Sequence, residues 1–149
     1  MQFKVQKTDP FEKAYSYGVY LLGIKLRTTG ELRNRMGQKG FAPELVEQVV
    51  QKLLDLKYLN DESYAAVYLE NLKKYKHFGF YGIKKKLQEK HLPNELVEEA
   101  LIQGLDEATE IKLAKIFLAK QKSGIERQRL ASRLASRGFR ASVIAQVLR

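Results

Sequence analysis

The sequence predicts an all-α protein, an elongated array of three tandem three-helix modules. Three observations predict it. Apolar residues recur at helical spacing along nearly the whole chain, one set of apolar columns occurs three times, and strand-like alternation is confined to the opening MQFKV. The columns are seen by aligning Phe41, Leu92 and Phe139, which are 51 and 47 residues apart. Nine residues upstream stand Leu32, Ile83 and Leu130; five upstream stand Met36, Leu87 and Leu134. Downstream come Leu45, Leu96 and Val143, then Val46, Val97 and Ile144, then Val49, Ala100 and Val147, then Val50, Leu101 and Leu148. PELVEQVV also matches NELVEEAL, and KGF matches RGF. The modules expected are 1–57 (with an N-terminal tail), 58–105 and 106–149.

Each element has a local reason. The first helix, 10–26, has Asp9 as its cap, Pro10 at the first helical position and Glu12 in the first turn. Thr28 and Glu31 have capping-box spacing and open the second, 29–38; a bend at Gly40 leads to the third, 43–56. The second set is expected at 61–75, 80–90 and 94–103, with a bend at His91. Asn60 or Asp61 opens it, and Tyr64, Val67, Tyr68 and Leu72 form its first buried stripe. The third set is expected at 106–121, 124–136 and 140–149, with a bend at Gly138. Ile111, Ala114, Phe117 and Leu118 form its first stripe, and Ser123 with Glu126 repeats the capping-box spacing. MQFKV is read as a short strand or a loose tail. A three-helix unit of this size has a thin core, so neighbouring modules are expected to join through Leu53, Leu56, Tyr58, Leu59, Leu101 and Leu105.

Composition narrows the function. With 44% apolar and 30% charged residues the chain is globular rather than disordered. Its net charge of +10 favours an anionic partner: nucleic acid first, an acidic protein groove second, an anionic membrane third. The surplus is uneven. Residues 1–50 hold eight basic and five acidic groups, 51–100 nine and eight, and 101–149 ten and four, with no acid after Glu126. Cysteine is absent, which removes disulfides and thiolate metal sites. The charged opening lacks the apolar core of a signal peptide, and no run approaches the ~20 apolar residues of a membrane span. A soluble cytoplasmic protein without membrane contact, monomeric when free, is expected.

The candidate binding residues follow the charge. Arg129, Arg133 and Arg137 share one helical face, with Leu130 and Leu134 turned inward; Arg127, Arg140 and Arg149 lie nearby in sequence. Equivalent helices carry Arg33 and Arg35 in the first module and Lys84, Lys85 and Lys86 in the second. Lys73, Lys74 and Lys76 precede the latter, interleaved with Tyr75, Phe78, Phe80 and Tyr81, a combination that can hold phosphates and stack on bases. Phe78 and Phe80 themselves are read as hinge residues buried between helices. The middle lysines serve binding or mere solvation; the terminal arginines, lacking an acidic neighbour in sequence, favour binding. Asn34, Gln38 and Gln128 form no set aimed at base edges, so a sequence-specific duplex reader is not favoured.

Nothing in the residues asks for an enzyme. His77 and His91 are read as solvated or capping groups, and Asp61 with Glu62 as a helix first turn. No glycine-rich phosphate loop occurs, Ser132 and Ser136 lack a placed base, and Glu98 with Glu99 sits on an amphipathic helix. No metal site and no cofactor is expected.

TTGELRNRMGQKGF, KYLNDESYAAVYLENLKKYKHFGFYGIKKKL and RLASRLASRGFRASVIAQVL together resemble the RecX family, bacterial regulators of the RecA recombinase, over about residues 13–149. The chain departs from the family pattern at Asn60, where an acid is usual, at His77 and His91, where glycine is common, and at Phe80, where proline is frequent. The resemblance implies a modular helical protein without catalytic residues, lodging in the groove of the RecA filament on single-stranded DNA. It also implies suppression of ATP hydrolysis, strand exchange and coprotease activity. The basic residues named above, Arg33 to Arg140, match the family's basic patches and would meet the filament, the DNA backbone or both. The rival readings are a stand-alone helical DNA-binding protein acting in transcription or chromosome organisation, and a purely structural protein adaptor.

Overall fold

A computed structural model of the chain describes residues 9–149; MQFKV lies outside them. Among the described residues nine α-helices form tandem triads: α1 Pro10–Ile24, α2 Thr29–Lys39, α3 Pro43–Asp55, α4 Asp61–Asn71, α5 Phe80–Glu89, α6 Asn94–Gly104, α7 Glu107–Ala119, α8 Arg127–Ser136 and α9 Ala141–Val147. They divide into two compact units, one ending at Asp61 and the other running from Glu62 to Arg149.

In the first unit Asp9 caps α1 by accepting from the Phe11 N–H at 3.1 Å, with Pro10 at the first position. The Thr28–Glu31 capping box forms in both directions, at 3.0 and 3.1 Å. Between these, α1 ends two residues before expectation. Lys25 turns extended, Leu26 is left exposed, and the buried Arg27 donates back to the Leu21 carbonyl. Gly40, at φ 103°, reverses the chain into α3, which Pro43 opens. The core is Ala14 and Leu21 of α1, Leu32 and Met36 of α2, and Val46, Val49, Val50 and Leu53 of α3, closed by Leu59. Gly18 sets the closeness of α1 and α3: a Cβ there would sit 3.0 Å from Val49 Cγ1.

The second unit holds α4 to α9 around one shared core containing Leu69, Ile83, Leu87, Val97, Leu101, Leu113, Leu134, Phe139 and Val143. The apolar columns of the repeat meet here and in the first unit, and Met36, Leu87 and Leu134 are each 0% exposed. His91, at φ 59°, and Gly138, at φ 88°, make the bends expected of them.

Four expectations are corrected. The buried ridge of α4 is Ala65 and Leu69, continued by Leu72 just beyond its end; Tyr64 and Tyr68 lie half-buried at its edges, and Val67 is exposed. Ala65 sits in the core itself, while the two tyrosine rings, 6.0 Å apart, pack against it from the side. The last turn of that helix widens into a π turn, Leu72–Lys76, closed by His77 at φ 52° donating its N–H to the Leu72 carbonyl. Helix α8 starts at Arg127, without a Ser123 cap, because Gly124 at φ 83° breaks the helical path. Finally, Leu56 and Tyr58 are exposed, whereas Leu53 and Leu59 serve the first unit's core and Leu101 and Leu105 the second's.

Candidate binding surface

The second and third triads meet at a backbone junction. There the start of α5 lies against the bend between α8 and α9. Gly79 and Tyr81 donate their N–H groups to the carbonyls of Arg137 and Gly138, at 3.1 and 2.8 Å. Three glycines make this backbone-to-backbone contact. A Cβ on Gly79 would overlap the Phe139 backbone, one on Gly82 the Arg137 carbonyl, and one on Gly138 the Gly82 nitrogen.

Glu110 of α7 completes the junction. Its side chain is wholly buried and accepts from the Phe80 N–H at 3.0 Å, the Arg140 N–H at 3.0 Å, and Arg140 Nε at 2.6 Å. One carboxylate thus serves the positive N-terminal ends of both α5 and α9. The absence of acids after Glu126 therefore does not leave the terminal arginines unopposed: Glu110, from another helix, neutralises Arg140.

Arg137 and Arg133 are also engaged. The Arg137 guanidinium lies over the Phe78 ring at 4.4 Å and near Phe117 at 5.7 Å, and donates to the Lys76 carbonyl. Arg133 Nη1 donates to Gln121 Oε1 at 2.7 Å, and both arginines are half-buried. Lys73 is pinned by Glu70 at 2.9 Å and by the Gly104 carbonyl at 2.7 Å. Lys84 pairs with Glu98 at 2.8 Å, Lys86 with Glu89 at 3.6 Å, and Arg33 with Glu47 through two bonds of 2.7 and 3.2 Å. Among the described residues the exposed candidates without an ion pair are Arg35, Lys74, Lys76, Lys85, Arg127 and Arg129; Arg133 and Arg137 have no ion pair either but are half-buried and hydrogen-bonded to neutral groups.

Around the π turn the second unit gathers Lys76, Lys86, Arg137 and Lys120 about His77 and Phe78. Lys86 Nζ is 5.7 Å from the centre of the Phe78 ring, and Lys120 Nζ is 3.2 Å from His77 Nε2. Desolvation first and the Lys120 ammonium second hold the His77 imidazole below its ordinary pKa; a backbone hydrogen bond to Lys73 opposes them, and Arg137 adds to the lowering. This concentration of cations suits an anion. Phe78 is half-buried under them, so it braces the cations rather than offering a free stacking face; Tyr75 and Tyr81 are the exposed rings.

Sequence reading missed Glu110 and Lys120. The readable signal for Glu110 was an acid on the ridge Glu110, Leu113, Ala114, Phe117, where every other member is apolar. Lys120 carried none, since only the fold brings it beside His77. Among the described residues no three His, Asp or Glu side chains are grouped to hold a metal, and no helix is long and apolar enough to cross a membrane.

Two family models match: "RecX, first three-helix domain" over residues 14–53 and "RecX, second three-helix domain" over 60–101. The regulatory protein RecX of Prosthecochloris aestuarii is 30% identical over 91% of this chain and 91% of its own length. That of Geobacillus kaustophilus is 30% identical over 94% of this chain, which spans 54% of that longer protein. In Bacillus subtilis the corresponding protein is 27% identical, and the chain spans 57% of it. In fold, the crystal structure of RecX from Lactobacillus salivarius superposes with a TM-score of 0.83 at 20% identity, covering 95% of this chain and 96% of that one.

Proposed function

The chain belongs to the RecX family of regulatory proteins, and from that membership we propose that it inhibits the RecA recombinase. It lodges in the groove of the RecA filament on single-stranded DNA and suppresses ATP hydrolysis, strand exchange and coprotease activity. The three modules, 1–57, 58–105 and 106–149, contact the polymer at successive places, directly on the protein, on the DNA it carries, or on both. The carrying observation is the family match across two three-helix domains. It is supported by unpaired cations on every module: Arg35 on the first, Lys74, Lys76 and Lys85 on the second, Arg127 and Arg129 on the third. Spaced weak contacts of this kind gain from being tied together, because each raises the effective concentration of the next.

The deciding experiment is the RecA ATPase rate on single-stranded DNA, with and without the full chain. Inhibition at protein levels well below saturation of the bare DNA supports the proposal; no inhibition at any level overturns it. Affinities for bare and RecA-coated DNA across a salt series locate the main contact. Binding to bare single strands should weaken with a log–log slope of about 0.7 per phosphate engaged. Equal affinity for the two forms would rule out the filament groove.

A further inference from the structure

The repeat provides its own control for one face of each triad, the face between its second and third helices. In the first triad Arg33 of α2 reaches Glu47 of α3 across that face, and in the second Lys84 of α5 reaches Glu98 of α6. These pairs occupy equivalent places: 33 and 84 are 51 residues apart, as are 47 and 98. A further 47 residues on, the third triad has Ala131 and Ala145. The ion-pair strap is gone, and both alanines line an open groove of about 490 Å³ between α8 and α9. Ala135, Ile144 and Leu148 line it too, with Arg127 at its rim.

The apolar columns tell the same story. Val46 and Val97 are buried, but their counterpart Ile144 is half-exposed; Val50 and Leu101 are buried, but Leu148 is half-exposed. Apolar surface that the earlier triads cover is therefore presented here. Arg127 is the one charged residue among those lining the groove, and no carboxylate lines it.

We propose that the α8–α9 groove is a docking site for an acidic amphipathic helix of a partner protein. Its aliphatic side chains, four residues apart, fill the space over Ala131 and Ala145, and a carboxylate meets Arg127. Alanines on both walls leave room for large side chains from outside, and the α8 wall from Arg127 to Ala135 is about 12 Å long, two turns of a docked helix. Besides Arg127 the only polar side chains lining the groove are the neutral Gln128 and Ser132, and one cation gives a phosphate backbone little to bind, so nucleic acid is the poorer fit. The site does not depend on the proposed action on RecA, and the assay below contains neither recombinase nor DNA.

The test is fluorescence anisotropy with the full chain and a labelled helical peptide of about 15 residues made of leucine and glutamate, the leucines on one face. Two controls are a scrambled version and one with lysine for glutamate. The acidic amphipathic peptide should bind at least about tenfold more tightly than either. Installing the strap of the first triad, Ala131→Arg with Ala145→Glu, should weaken that binding about tenfold or more without lowering the unfolding midpoint. Arg127→Glu, on the exposed first position of α8, should reverse the preference between the glutamate and lysine peptides and does not burden folding. Equal binding of all three peptides, or undiminished binding by the strap variant together with an unreversed preference in Arg127→Glu, overturns the proposal. So does sedimentation showing that the wild-type chain dimerises and the strap variant does not, which would make a second copy the occupant.

Discussion

Arg140 Nε lies 2.6 Å from a carboxylate oxygen of Glu110, a side chain shielded entirely from solvent and holding the first N–H groups of two helices besides. Removing the acid leaves a guanidinium and two amides without their acceptor. Removing the arginine leaves the carboxylate two amide donors. Glu110→Ala should therefore destabilise the second unit by about 3–5 kcal/mol, and Arg140→Ala by less. Urea denaturation of the full chain measures both; the reverse order would mean that Glu110 is held mainly by the guanidinium.

The same geometry separates structural from available cations. Lys85→Glu and Arg129→Glu alter exposed residues without ion pairs and should change stability by no more than about 0.5 kcal/mol while weakening inhibition of RecA. Arg137→Ala strips a cation from two aromatic rings and should cost about 2 kcal/mol. Thermal melts alongside ATPase inhibition sort the three. Inhibition unchanged in both charge reversals would assign Lys85 and Arg129 to solvation alone.

His77 makes stability depend on pH. Its folded pKa lies below the ordinary value of 6.5, so the unfolded chain takes up a proton more readily. The contribution is fully present above the unfolded pKa and is lost as pH falls through the folded one. Melting temperatures should drop between pH 7 and pH values below the His77 pKa, and His77→Gly should flatten that part of the profile. The same substitution suits the left-handed backbone at φ 52°. An identical slope in both proteins would mean that the dependence comes from other groups.

Glycine should have opposite effects at two bends. His91→Gly relieves a left-handed residue whose side chain is exposed, and should raise stability by about 0.5–1 kcal/mol. Gly138→Ala adds a Cβ both at φ 88° and into the backbone of Gly82, and should cost about 4 kcal/mol or more. Chemical denaturation checks each.

What could be read from sequence was local. Asp9, Thr28 and Pro43 act on residues within a turn of themselves, and the bends at Gly40, His91 and Gly138 reflect backbone preference, so helix order and most boundaries were legible. Ser123 and Glu126 satisfy the same spacing rule as Thr28 and Glu31 yet form no cap, because the backbone at Gly124 decides first. The stripe of α4 was misplaced because large aromatics weigh more than alanine in a sequence pattern, although packing favours the small residue. The candidate surface was legible as charge but not as availability. Whether Arg133 meets Gln121, or Arg140 meets Glu110, depends on contacts 12 and 30 residues apart.

The double engagement of Glu110 also bears on how the chain can be divided. A cut at Leu105 hands the carboxylate to one fragment and the α5 amide it satisfies to the other, so the first piece inherits an unfinished helix start and the second an acid held by Arg140 alone. Sequence repeats in threes, but beyond α3 the smallest piece expected to survive excision, to melt in one step and to resist proteolysis as a whole is the set of six.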